Sequence, residues 1–148
     1  MRHFLWEAGF WVLASVLLLG VGCLFHFVLV PFLAPGLNKE YENHALFRDL
    51  AGWPGVYLFI HPLAYGVVFA AAFRLLGGVE RAPTWGQGLL VGSCFGLAVF
   101  LVGSLPVYLL NYASFVVPPA VILSWIAQSL CQYVVAGAGL GLYSAWAA

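Results

Sequence analysis

Four long apolar segments, separated by short polar ones, limit the folds that are open to this chain. Each segment reaches the roughly 20 apolar residues that a helix needs to cross the hydrocarbon core of a bilayer. The apolar residues run continuously instead of alternating with polar ones, and a membrane barrel needs at least about eight strands. The sequence therefore predicts an all-α protein, a single domain over residues 1–148, with spans at about 10–33, 53–76, 85–110 and 116–147.

The composition indicates a lipid environment. Of the 148 residues, 64% are hydrophobic and 7% are charged, whereas a soluble domain carries about 25% charged residues. The formal net charge is zero, which argues against nucleic acid as a partner, because binding its phosphates requires concentrated Lys and Arg. Cys23, Cys94 and Cys131 each lie alone in an apolar run, without the spacing of a zinc site. They are expected to be small buried hydrophobic residues.

The connections between the segments predict an antiparallel arrangement. Residues 77–84 and 111–119 are short connections, which place consecutive helices side by side and give an up-down-up-down four-helix bundle. Pro118 and Pro119 suit the first turn of the fourth helix, where a missing N–H costs no hydrogen bond. The longer polar segment 34–52 has apolar residues spaced for a short amphipathic helix that lies on the membrane.

Basic residues indicate which way the bundle points. Arg2, Arg74 and Arg81 belong to the end that carries both termini, and Lys39 and Arg48 belong to the other end. The positive-inside rule favours cytoplasmic termini by these three residues to two. The first segment is longer than the roughly 7 to 15 residues of a signal-peptide core, which predicts a retained anchor. We expect an integral protein of a bacterial inner membrane with both termini in the cytoplasm.

Small residues recur at helical spacing in the third and fourth segments. A stripe of glycines lets two helix backbones approach closely, and such van der Waals contact holds helices together in lipid, where apolar burial gains little. Two arrangements are open: the stripes pack the third and fourth helices within one chain, or they form the seam of a homo-oligomer. The predicted packing residues are Gly88, Gly92, Gly96, Gly103, Gly137 and Gly141.

Two histidines lie inside apolar segments, one on each side of the polar segment 34–52. At about 1.5 Å per residue, His26 and His61 are both expected roughly 10 to 12 Å below the membrane surface on that side. They belong to neighbouring antiparallel helices, so we expect them to lie at one level. Ionisable residues are costly within a membrane, and a pair of them predicts a functional site.

Further polar side chains fall in the same half of the bilayer. Pro31, Pro62 and Pro106 lie there too, and prolines inside helices remove hydrogen bonds and tend to kink them. Kinked helices with polar linings predict a polar cavity that opens toward the charged segment, with Arg48 and Asp49 at its mouth. With the two histidines, the predicted ligand-binding residues are Tyr57, Tyr65, Ser104, Tyr108, Ser124 and Gln128.

Several roles are open for the two histidines. Each imidazole can hydrogen-bond to a neighbouring helix without further function, or both can bind a small ligand or lipid headgroup. Axial ligation of a b-type haem needs two histidines at matching depth on facing helices. A metal site through His26, His61 and His44 lacks ligands, because the spans hold no acidic partner. We therefore expect no cofactor and no metal, with haem b as the alternative.

The first half of the chain resembles a class of known membrane proteins. The stretches "LFHFVLVPF", "LFRD" and "FIHPLAYGVVFAAAF" are similar to small uncharacterised four-span bacterial membrane proteins of the domain-of-unknown-function type. This resemblance implies a four-helix membrane protein and no activity. The CxxC pair of small four-span thiol oxidases is absent from the sequence.

The leading functional hypothesis is a membrane protein that binds or moves a hydrophobic or amphipathic small molecule in the predicted cavity, with membrane lipid as its surroundings. The alternative is an accessory subunit that packs against a larger membrane complex through its glycine faces. A b-type haem or electron-transfer protein is a third hypothesis. The sequence shows no constellation of nucleophile, base and orienting residue, so it does not point to an enzyme.

Overall fold

All regular secondary structure is helical in the part of the chain that the computed structural model describes, residues 2–41 and 53–147. This confirms the predicted all-α fold. Two π-helical turns, in which the hydrogen bonds run from residue i+5 to residue i, interrupt the α-helices. In chain order the elements are α1 (Arg2–Leu24), a π turn (Phe25–Leu29), α2 (Val30–Leu33), α3 (Leu37–Tyr41), α4 (Trp53–Leu75), α5 (Trp85–Val99), a second π turn (Phe100–Ser104), α6 (Leu105–Ser114) and α7 (Pro119–Ala147).

Four helical stretches are long and apolar enough to cross a membrane, as the sequence predicts. They are Trp6–Leu33, Gly55–Leu75, Trp85–Ser114 and Pro119–Ala147. The first and third spans each contain a π turn and the short helix after it. The predicted bounds differ in each span: the first begins earlier, the second is Gly55–Leu75, the third continues through Ser114, and the fourth begins at Pro119, where proline opens the helix.

Each π turn comes just before a proline. The N–H of Val30 bonds to the carbonyl of Phe25 ahead of Pro31, and the N–H of Leu105 bonds to the carbonyl of Phe100 ahead of Pro106. A proline ring clashes with the carbonyl four residues before it in a regular α-helix. The wider π turn relieves that clash and adds one residue to the turn. The prolines therefore change the rotation of the helices at these points.

Contacts between the spans show an antiparallel bundle in which α1 lies between α4 and α7, while α5 packs along α7. The hydroxyl of Ser15 donates to the carbonyl of Leu63 at 2.9 Å and ties α1 to α4. Arg74 and Glu7 form an ion pair near the ends of the same two helices. We call this end, which carries both chain termini, the termini end; the opposite end, which carries α3, is the α3 end.

The main core lies toward the termini end. Aromatic rings from three spans fill it, since Phe73 lies edge-on to Phe95 at 5.2 Å and is tilted against Phe10 at 6.0 Å. The buried members are Phe10, Ala14, Leu18, Phe69, Ala70, Phe73, Ala136 and Leu140. A second, smaller cluster of Val30, Leu37 and Val121 holds α2, α3 and α7 together at the α3 end.

The glycine stripes of the third and fourth spans lie against each other within one chain. Gly92 contacts the backbone carbonyl of Gly137 so closely that a methyl group on either would overlap the other helix. Gly88 meets Gly141 in the same way, and Gly96 meets the carbonyl of Tyr133. This is the first of the two predicted arrangements, and it leaves these glycines buried in the bundle.

Gly103 does not belong to this contact, which corrects its prediction as a packing residue. Open space surrounds it, and it is exposed. The prediction placed it two turns beyond Gly96 on a regular helix. The π turn at Phe100–Ser104 adds a residue and rotates the rest of the span by about 100°. Gly103 therefore faces outward, and Ser104 faces α7 instead.

The cysteines also differ from expectation. Cys23 is half-buried, whereas Cys94 and Cys131 are exposed on the outside of the bundle. A thiol has little polarity, so lipid-facing positions accept it as well as buried ones do.

Candidate functional site

His26 lies in the first π turn, where α1 meets α3. Its imidazole is half-buried and stands edge-on to the ring of Tyr41 at 5.3 Å and to the ring of Phe27 at 5.1 Å. The histidine therefore helps to hold α3 against the first span.

His61 lies elsewhere, on an exposed face of α4. Its ring stacks on Tyr65 at 6.0 Å, and Tyr57, one turn away, is 63% exposed. These three residues share one helix face, as their spacing predicts. The face is exposed at Tyr57 and His61, and at Tyr65 it reaches the ring of Tyr133 on α7.

The two histidines do not lie at one level, which corrects the predicted pair. Gly66 packs on Ser15, and Arg74 pairs with Glu7, so these contacts fix the register of α4 along α1. In that register His61 is level with about residue 20, about six residues and ~9 Å from His26 along the helix axis. The prediction counted depth from the apolar ends of each segment, and the two helices are displaced relative to those ends. His26 and His61 therefore do not lie at the matching depth that axial haem ligation by these two residues requires.

Helix α7 makes polar contacts with two sides of the bundle. On one face, the hydroxyl of Ser124 lies 2.6 Å from the hydroxyl of Tyr41, and the amide of Gln132 donates to the carbonyl of Leu18 at 2.7 Å. The side chain of Gln128 lies between them and packs with Gln132 against Gly22. This face of α7 binds α1 and α3 through hydrogen bonds.

The neighbouring face of α7 contacts the third span. The hydroxyl groups of Tyr108 and Ser129 are 2.5 Å apart, and Ser104 donates to the hydroxyl of Tyr133 at 3.0 Å. Tyr65 of α4 reaches the same place, with its ring 5.5 Å from that of Tyr133. Ser104, Tyr108 and Tyr65 are thus brought together, but they pair with partners on α7 and do not line an open cavity.

Sequence reasoning missed Ser129 and Tyr133 as partners in this network. Each follows a glutamine by one residue, at positions 128 and 132, so the same four-residue spacing that marks the glutamines also marks them. A second polar stripe on α7 was therefore readable in the sequence.

An open groove of about 600 Å³ lies at the α3 end. It is bounded by the end of the first span, by α3 and by the start of α7, where the chain turns sharply after Leu33. Its walls are apolar except for two side chains, Glu40 and Ser124. The lining residues in the described part of the chain are Phe25, Leu29, Val30, Leu33, Ala34, Gly36, Leu37, Glu40, Ala120, Leu123 and Ser124.

This groove differs from the predicted polar cavity. Of the eight predicted ligand-binding residues, Ser124 alone is among the lining residues that the structure describes. The others contact neighbouring helices, as Tyr108 does through Ser129, or lie on the outer face of α4, as the exposed His61 does. The predicted mouth residues Arg48 and Asp49, with His44, lie outside the described residues.

Tyr41, at the end of α3, pairs with Ser124, which lines the groove. Burial, which is the largest influence, raises the pKa of the Tyr41 hydroxyl above the ordinary 10.0, and the hydrogen bond with Ser124 acts in the opposite direction.

Residues 2–41 and 53–147 contain no group of three or more His, Cys, Asp or Glu placed to hold a metal ion.

Comparison with protein-family models, with curated proteins and with solved structures finds no match. The resemblance of the first half to small four-span bacterial membrane proteins therefore stays a prediction.

Proposed function

We propose that this protein binds one amphipathic, lipid-like molecule in the groove at the α3 end. The observation that carries the proposal is a groove of about 600 Å³ with apolar walls and two polar side chains, Glu40 and Ser124. That volume falls in the ~300–1,000 Å³ range of sites that hold small molecules. An apolar chain lies along Leu29, Leu33 and Leu123, and its polar head meets Glu40.

A groove that faces lipid cannot select its ligand by apolar character alone. An apolar chain that moves from lipid into the groove exchanges one hydrocarbon surface for another, so its transfer gains little from the hydrophobic effect. Close fit to the walls and contacts to the head must then supply the affinity. The polar part of the site therefore contributes to the choice of ligand.

We also propose that the protein lies in a bacterial inner membrane with both termini in the cytoplasm. Arg74 and Arg81 lie toward the termini end, whereas Lys39 is the described cation at the α3 end. This distribution agrees with the positive-inside rule. The groove then opens on the side of the membrane away from the cytoplasm.

The proposal is tested by filling the groove. Ala120 lines it, and Ala120→Phe places a ring in the space. Ala98→Phe, at an exposed position on α5, adds the same ring outside it. We expect detergent-purified wild type and Ala98→Phe to bind added dioleoylglycerol in native mass spectra, and Ala120→Phe to bind it about tenfold more weakly or not at all. Equal binding by all three proteins would overturn the proposal.

The alternative of an accessory subunit needs a different contact surface from the one predicted. Gly92 and Gly137 are buried against each other, so the glycine faces are occupied within the chain. The exposed face of α4 is a better candidate, because His61 there would be costly to leave in lipid. If a partner covers it, His61→Leu should abolish a larger complex seen by native electrophoresis of mildly solubilised membranes. A wild-type band at the mass of one chain would exclude this role.

A further inference from the structure

One acidic side chain, Glu40, lies among the apolar walls of the groove. Glu40 is half-buried and is the charged residue among the described lining residues. No cation of residues 2–41 or 53–147 forms an ion pair with it: Lys39, its neighbour in α3, is exposed and does not line the groove. A carboxylate beside an apolar groove has a positive group as its favourable partner.

The other polar side chain of the groove already has partners. The hydroxyl of Ser124 donates to the carbonyl of Val121 at 2.7 Å and lies 2.6 Å from the hydroxyl of Tyr41. Its hydrogen is thus used within the protein. Glu40 is the other polar side chain among the described lining residues, and its carboxylate offers acceptor oxygens to a ligand.

The groove is continuous with the lipid-facing surface of the bundle. Two of its wall residues, Leu33 and Leu123, are 71% and 64% exposed and belong to membrane spans. An occupant can therefore enter sideways from the surrounding bilayer. This position favours a membrane lipid over a molecule that arrives from water.

We infer that the groove selects a phospholipid whose headgroup carries an ammonium group, with the ammonium on the carboxylate of Glu40 and one acyl chain along the apolar walls. This inference rests on the proposed function and adds the class of lipid. An anionic headgroup places a second negative charge beside Glu40 and is repelled. Selectivity between the two classes comes from this one side chain.

The test compares two lipids with identical acyl chains. Delipidated protein in detergent is titrated with phosphatidylethanolamine and with phosphatidylglycerol, and bound lipid is counted by native mass spectrometry. We expect wild type to prefer phosphatidylethanolamine by about tenfold or more. Glu40→Gln should bind both equally, and Glu40→Lys should prefer phosphatidylglycerol. Lys39→Gln and Glu80→Gln, at exposed positions outside the groove, should keep the wild-type preference.

The outcomes separate the two proposals. If wild type binds neither lipid, or if Ala120→Phe binds both as well as wild type does, the groove is not a lipid site and the proposed function fails. If Ala120→Phe loses both lipids but wild type shows no headgroup preference, the groove stands and the ammonium inference is wrong. A preference that survives in Glu40→Gln and Glu40→Lys also overturns the inference.

Discussion

Gly92 and Gly103 lie on the same span, but they have different surroundings: Gly92 contacts the backbone of α7, and Gly103 does not. The carbonyl of Gly137 fills the space that a side chain on Gly92 would need, and neither helix can yield without separating α5 from α7. Gly103 has no atom of another residue close enough to resist a methyl group. The requirement for glycine at position 92 therefore comes from packing against α7.

Alanine at these two positions should have opposite effects. Gly92→Ala is expected to lower the free energy of unfolding by about 1–3 kcal/mol, because the added methyl overpacks a backbone contact. Gly103→Ala should leave it unchanged or raise it by up to about 1 kcal/mol, the difference in helix propensity. Denaturant-induced unfolding in one detergent measures both. Similar destabilisation by the two substitutions would contradict the packing argument.

The pKa of Tyr41 predicts how the docking of α3 depends on pH. Burial raises this pKa above 10.0, so the folded protein holds the phenolic proton more tightly than the unfolded chain does. The contribution to stability is complete below pH about 10 and is lost as the pH rises through the folded pKa. The difference in tyrosinate absorbance between wild type and Tyr41→Phe should titrate above pH 10. A titration below pH 10 would show that the hydroxyl is not buried.

At the scale of elements, hydropathy predicts the four spans because lipid demands an apolar helix wherever the chain crosses. It does not predict the π turns, which depend on how a proline clash is relieved, and each extra residue rotates the helix beyond it. The error at Gly103 results directly from that rotation. The relative depth of His26 and His61 was predicted wrongly, because the register of α4 along α1 depends on contacts such as that of Gly66 with Ser15. Counting residues from the ends of apolar segments does not give such contacts.

The groove escaped prediction for a related reason. Its walls come from α2, α3 and the start of α7, and it exists because the chain turns after Leu33 and returns over the fourth span. The described polar residues of the spans other than Ser124 do not line the groove, because they contact neighbouring helices or lie on the outside of α4. Ser124 alone of the predicted set reaches the groove among the described lining residues.

The hydroxyl pair of Tyr108 and Ser129 joins α6 to α7 and can be tested as a unit. A double-mutant cycle with Tyr108→Phe and Ser129→Ala should give a coupling of about 0.6 kcal/mol and at most ~1.7 kcal/mol, the range of interhelical hydrogen bonds in membranes. Ser144 provides the matched control, because its hydroxyl donates to Leu140 within α7. Tyr108→Phe with Ser144→Ala should be additive. Zero coupling in the first cycle would mean that the hydroxyls do not bond.

At the scale of the whole molecule, the two ends of the bundle have different roles. The termini end holds the aromatic core and the ion pair of Glu7 with Arg74, which tie the first two spans together. The α3 end has a smaller core and the groove. The larger buried core thus lies at one end, and the proposed binding surface lies at the other.

The orientation of these ends is testable with single cysteines. Lys39 and Thr84 are exposed and belong to opposite ends of the bundle. The three native cysteines, Cys23, Cys94 and Cys131, are first replaced by alanine. A thiol reagent that cannot cross the inner membrane is then added to bacterial cells whose outer membrane is permeable and whose inner membrane is sealed. We expect it to label Lys39→Cys. Thr84→Cys should react only after lysis, because the positive-inside rule places its end in the cytoplasm. The reverse labelling pattern would show that the protein has the opposite orientation, with the groove open toward the cytoplasm. Labelling of both positions before lysis would contradict a bundle of four spans.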